Sequence, residues 1–128
     1  MKPDVVMDAS ALLAWVLAER GGDQAATMAP LSYVSAINLA EVVQKLAAMG
    51  ISERVLRPMA REFGCTIVPV DEGLGIEAGL LRRETRGRGL SLGDRVCLAL
   101  AIRLGLPVVT ADRAWAGLDL GVEVVLIR

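Results

Sequence analysis

Short apolar runs alternate along the chain with longer segments in which apolar positions recur at helical spacing. Val5-Val6-Met7 is the first run, closed by Asp8. Residues 9–18 are rich in Ala and Leu and end at Glu19-Arg20-Gly21-Gly22, which predicts a helix and a glycine stop. Residues 31–34 predict a second strand. Ser35 then caps a helix over 36–49 that stops at Gly50. Ser52 caps a further helix to Phe63, stopped by Gly64. Residues 66–70 predict a third strand, and Pro69, which cannot donate to a ladder, places it at a sheet edge. Asp71 caps a helix reaching about Arg86, and residues 86–89 form a loop. Ser91 opens a helix to Leu104, stopped by Gly105. Residues 107–110 predict strand four, 114–117 a short turn or helix, and 122–127 strand five.

Strands this short and this uniformly apolar are buried on both faces, as in a parallel sheet between layers of helices. The expected class is therefore α/β. No repeat, low-complexity tract or linker interrupts the 128 residues, so one domain is expected over 1–128. Hydrophobic residues make up 54% and the mean hydropathy is +0.50, which excludes a largely disordered chain. The apolar excess also points to a face covered by a partner.

Composition narrows the chemistry. The chain has no histidine, which removes Ser-His-Asp and Cys-His catalysis and every histidine-containing zinc site. Its two cysteines, Cys65 and Cys97, are too far apart for a CxxC motif. Carboxylates, hydroxyls, amines or a metal held by oxygen remain. The net charge of −1 supplies no global attraction for nucleic acid or membrane. An aromatic content of 3% argues against a sheet that stacks bases on several rings. Asp4 and Asp8 break the N-terminal apolar stretch where a signal peptide would need continuity. The run over 9–18 is shorter than the roughly 18 residues of a spanning helix. A cytoplasmic protein with no membrane partner is expected.

In an open parallel sheet, ligands bind beyond the carboxyl ends of the strands. Asp8 directly follows strand one, and Asp112 lies just beyond strand four in Thr110-Ala111-Asp112-Arg113. Glu41 is about two turns into the helix after strand two, and Asp94 is in the first turn of the helix before strand four. Each has a plain structural role open to it. Asp8 and Asp112 can cap the segments they precede. Ser91-Leu92-Gly93-Asp94 fits a capping box. Glu41 can pair with Lys45 at i,i+4, with Asn38 completing a polar stripe. Together, four carboxylates at one end of a sheet would repel and raise one another's pKa. A hard divalent cation such as Mg²⁺ or Mn²⁺ resolves that repulsion, and such a site suits phosphodiester hydrolysis.

Four segments also resemble, in order and over nearly the whole chain, the successive motifs of PIN-domain ribonucleases, above all VapC-type toxins of toxin–antitoxin pairs. They are Val-Val-Met-Asp8-Ala-Ser10, Asn38-Leu-Ala-Glu41-Val, Ser91-Leu-Gly-Asp94-Arg-Val-Cys-Leu-Ala, and Val-Thr110-Ala-Asp112-Arg-Ala-Trp. The resemblance implies a three-layer α/β/α sandwich around a five-stranded parallel sheet. It implies Mg²⁺-dependent cleavage of RNA with a 5′-phosphate on one product, a cognate antitoxin and a homodimer. The family's four acidic positions fall on Asp8, Glu41, Asp94 and Asp112, its small polar position on Ser10, and its Ser/Thr on Thr110. Asp8 and Asp94 are then the expected direct metal ligands. Glu41 and Asp112 complete the cluster directly or through water, and the hydroxyls of Ser10 and Thr110 orient carboxylates. A basic antitoxin side chain entering the pocket would displace the metal.

Lysine occurs only at positions 2 and 45, and Arg82, Arg83, Arg86 and Arg88 crowd the segment before Asp94. They are candidates for RNA-backbone contacts, or equally a solvated charged face. The helix over 9–18 and the segment around Met28 are candidate partner surfaces. Trp15 and Trp115 read as core or interface anchors, and Cys97 as a small core residue. The rival reading is a non-catalytic, receiver-like or regulatory domain that binds a protein through the same acidic end. Phospho-receivers place a lysine after the last strand pair, where this chain has Asp112-Arg113 and Arg128. An aspartyl phosphatase would place an acid where Ser10 stands.

Overall fold

The computed structural model describes residues 2–128. Its elements run β1 (Val5–Met7), α1 (Ala9–Val16), α2 (Gly22–Met28), a 3-10 turn (Ala29–Leu31), β2 (Ser32–Ser35), α3 (Ala36–Ala48), α4 (Glu53–Leu56) and α5 (Met59–Phe63). They continue with β3 (Thr66–Val68), α6 (Glu72–Leu80), α7 (Leu92–Leu104), β4 (Val108–Thr110), a second 3-10 turn (Arg113–Trp115) and β5 (Val124–Leu126). The five strands are all parallel, in the order β3-β2-β1-β4-β5. The edge position of β3 agrees with the expectation from Pro69, which lies just past the strand.

Side chains of successive strand residues point to opposite faces, so each strand feeds two cores. Met7, Val34 and Val109 pack with Leu12 of α1, Ala25 of α2, Val42 and Leu46 of α3, and Met59 and Phe63 of α5. Val6 and Val108 pack on the other face with Leu74 of α6, with Leu98 and Leu100 of α7, and with Trp115. A strand buried on both sides has no polar face to display, which is why the sequence shows apolar runs and not alternation. Trp115 and Cys97 are fully buried.

Several boundaries differ from the sequence expectation, each for a local reason. Gly21-Gly22 does not merely stop a helix. Gly21, at φ 89°, leads into α2, and a Cβ on it would collide with the Ile127 carbonyl, one on Gly22 with that of Ala14. The segment around Met28 is therefore helical. The helix expected over 52–63 is divided between α4 and α5 at Pro58, which caps the second piece. α6 ends at Leu80, and the chain turns where the Thr85 hydroxyl donates to the Leu81 carbonyl at 2.8 Å. Among the described residues no helix is long and apolar enough to cross a membrane.

Candidate active site

The chain winds from β1 outward through β2 to β3, then returns to add β4 and β5 on the other side of β1. Strand order therefore reverses between β1 and β4, whose residues Met7 and Val109 are in register. At such a reversal the following segments diverge and leave a crevice beyond the strand ends. Asp8 and Thr110 stand at its rim because each immediately follows those paired residues.

Asp8 caps α1 and is 2% exposed. Its Oδ1 accepts the Ala11 backbone N–H at 2.9 Å, and its Oδ2 accepts the Thr110 hydroxyl at 2.6 Å. The Ser10 hydroxyl lies 2.8 and 2.9 Å from the two oxygens. Both hydroxyls serve the next turn as well: Ser10 Oγ accepts the Ala111 N–H at 2.9 Å and Thr110 Oγ1 accepts that of Asp112 at 3.0 Å. Burial pushes the Asp8 carboxyl up to about 6, against the lowering effect of these donors; the nearby Asp94 charge adds a little to the rise. An ionised carboxylate offers about four lone-pair positions, and three donors use three of them.

Glu41 projects from α3 and is partly buried. Its partner is the Asn38 amide, which donates to Oε1 at 2.7 Å. Among the described residues it forms no ion pair with Lys45. Burial raises its pKa, the Asn38 bond opposes the rise, and the Asp94 charge adds to it. Asp94 forms the capping box read from the sequence: its Oδ2 accepts the Ser91 N–H at 2.9 Å and the Ser91 hydroxyl accepts the Asp94 N–H at 3.1 Å. Asp112 is exposed and caps the second 3-10 turn through Ala114 at 2.9 Å. The plain capping roles are thus real for Asp8, Asp94 and Asp112, and they coexist with a shared location. All four carboxylates line one cleft of about 600 Å³, together with Ser10, Gln44, Lys45 and Met49. Cys97 lies beneath it, and burial drives its thiol pKa far up, with Asp8, Asp94 and Glu41 adding to the rise. Among the described residues no three ligating side chains stand close enough to make a ready-formed cation cage.

The arginines are placed differently. Arg88 spends its guanidinium on the carbonyls of Ala114 and Ala116, at 3.2 and 2.7 Å, bracing the turn that carries Asp112. Arg82, Arg83 and Arg86 are exposed, and none of the four lines the acidic cleft. The buried Asn38, 1% exposed, and Gly93, which faces Glu41, were missed as site residues. The signal available was an asparagine one helical turn before Glu41 and a glycine directly before Asp94.

A family model of the PIN domain matches residues 5–119. The chain belongs to the PIN-domain family. Among solved structures, this PIN chain is similar to a toxin–antitoxin complex from Klebsiella pneumoniae, with a TM-score of 0.75 at 24% identity, covering 97% of this chain and 98% of that one. It is also similar to DNA-bound VapBC from Salmonella typhimurium, with a TM-score of 0.73 at 16% identity, covering 98% and 99%. A third is VapC20 of Mycobacterium tuberculosis, described as a toxin cleaving the sarcin–ricin loop, with a TM-score of 0.72 at 16% identity, covering 93% and 98%. A search of curated protein sequences returned no match. The PIN fold read from the four motifs is the fold observed.

Proposed function

We propose that this chain, as one PIN unit over residues 1–128, is a Mg²⁺-dependent endoribonuclease that acts as the toxin of a toxin–antitoxin pair in the cytoplasm. The observation that carries the reading is the convergence of Asp8, Glu41, Asp94 and Asp112, from four separate segments, on one cleft at the strand-order reversal. The toxin role rests on the fold likeness to the toxin–antitoxin structures and on the motif resemblance.

The donor set fits a hard divalent cation. Every ligating group is an oxygen, and Asp8 keeps one lone-pair position unfilled in a desolvated setting that favours a counter-charge. Mg²⁺ keeps several waters and takes only one or two carboxylates directly, so a closed cage is not needed. Asp8 and Asp94 would hold it, with Glu41 and Asp112 completing the set directly or through water; Mn²⁺ would serve in its place. Such an ion lowers the pKa of a water and stabilises charge on phosphate oxygens. The protein's own part is orientation. Thr110 and Ser10 aim the Asp8 carboxylate and tie it to the backbone before Asp112. Lys45, the basic side chain lining the cleft, gives an approaching phosphate a counter-charge. An antitoxin partner and a homodimer complete the proposed assembly.

The test is incubation of the protein with end-labelled RNA in Mg²⁺, in EDTA, and as Asp8→Asn. The reading expects cleavage in Mg²⁺ only, product with a 5′-phosphate, and loss of at least about a hundredfold in rate for the variant. Cleavage that ignores both EDTA and the substitution contradicts the metal mechanism. No cleavage of any RNA favours a binding module that uses the same acidic end.

A further inference from the structure

Glu41 is held in the cleft by two residues outside the acidic set. The Ser35 hydroxyl donates to Asn38 Oδ1 at 2.6 Å, and its oxygen accepts the Asn38 backbone N–H at 3.1 Å. The Glu41 carboxylate and the Gly93 carbonyl at the far end of the amide can only accept, which fixes its nitrogen on their side and its oxygen towards the Ser35 hydroxyl. The nitrogen end then turns to Glu41 Oε1 at 2.7 Å and to the Gly93 carbonyl at 3.2 Å. The second of these bonds crosses from α3, on one face of the sheet, to α7 on the other, over the carboxyl ends of the strands. Asn38 is 1% exposed, so bulk water does not reach it to replace either bond. On the α7 side a Cβ at Gly93 would lie 2.6 Å from Glu41 Oε1 and 2.7 Å from Cδ and Oε2. The carboxylate therefore rests on bare helix backbone, one residue before Asp94.

We infer that Asn38 and Gly93 are positioning residues: the amide and the missing side chain together hold the Glu41 carboxylate against α7 and beside Asp94, and so preset the cation affinity of the cleft. The inference rests on the proposed metal-dependent reading. Two neighbouring carboxylates repel, and a long glutamate side chain on a helix surface has free rotamers that relieve the repulsion by swinging outward. Asn38 supplies the attraction that opposes this swing, and Gly93 supplies the room.

Gly93→Ala separates positioning from folding. Gly93 sits in the first turn of α7 without a positive φ, and alanine is the better helix former there. The collision falls on the movable end of Glu41. The variant should melt at the wild-type temperature or above, yet bind Mn²⁺ about tenfold or more weakly by calorimetry without RNA. Asn38→Leu, which keeps the approximate size, loses the donor and adds no charge, should show a similar loss. In a Glu41→Ala background, Gly93→Ala should cause no further loss, read by Mn²⁺ electron spin resonance. Wild-type affinity in Gly93→Ala, or an equal loss with and without Glu41, overturns the inference while leaving the metal reading intact. A wild-type protein that binds no Mn²⁺ overturns both.

Discussion

Asp8 is a carboxylate that burial has made costly to ionise. Three donors point at it, but they do not fully replace the water it has lost, and its pKa stands at about 6 in place of 3.8. The consequence for the metal-free protein has a definite sign. Below about pH 4 the group is protonated in both the folded and the unfolded chain. Between about 4 and 6 only the folded chain keeps the proton, so this group's contribution to stability falls as pH rises. Above 6 it is ionised in both, and the cost is constant at roughly 3 kcal/mol, since one pKa unit is worth about 1.4 kcal/mol. Asp8→Asn removes that cost. In EDTA the variant should melt higher than wild type at pH 8, and the gap should close towards pH 4. A lower melting temperature at pH 8 would show that the folded protein stabilises the anion without help. Asp8, Asp94 and Asp112 were legible at this scale because each follows a strand or opens a helix, and Glu41, inside α3, was legible through the motif resemblance. Asn38 and Gly93 were not, because their roles depend on which side chains meet across α3 and α7. Nothing in a linear reading brings position 38 to position 93.

The helices and strands show the same division between local and tertiary information. The caps Ser35, Asp71 and Ser91 and the stop Gly105 were readable, because each satisfies backbone groups within its own turn. Alpha-helix α2 was hidden, because Gly21-Gly22 reads as a terminator until the close approach of Ile127 and Ala14 is known. The arginine segment was read as one charged patch, and the structure sorts it. Arg88 belongs to the turn carrying Asp112, whereas Arg82, Arg83 and Arg86 face solvent. Arg88→Ala should speed amide hydrogen exchange in the turn around residues 113–117 and lower cleavage without changing the salt dependence of RNA binding. Arg83→Ala should leave exchange unchanged and, if this face touches the RNA backbone, reduce the salt slope by about one. Unchanged exchange in Arg88→Ala would contradict the bracing role.

At the scale of the whole molecule, topology makes the site. No two of the four acids are close in sequence, and the nearest pair, Asp94 and Asp112, is separated by most of α7 and all of β4. Returning the chain to the far side of β1 sets β4 beside it and draws the turn after β4 to the crevice that Asp8 already faces. The parallel sheet and its two helix layers were legible from apolar runs alone. The strand order was legible only at the edge where Pro69 placed β3, since β1 could have neighboured other strands equally well on periodicity. The central claim is that this convergence builds a divalent-cation site. An anomalous-difference map from a crystal soaked in Mn²⁺ tests it most directly. The account predicts a peak in the cleft about 2.1 Å from oxygens of Asp8 and Asp94. A map with no peak there, from a protein that still cleaves RNA in the same Mn²⁺ solution, would contradict it.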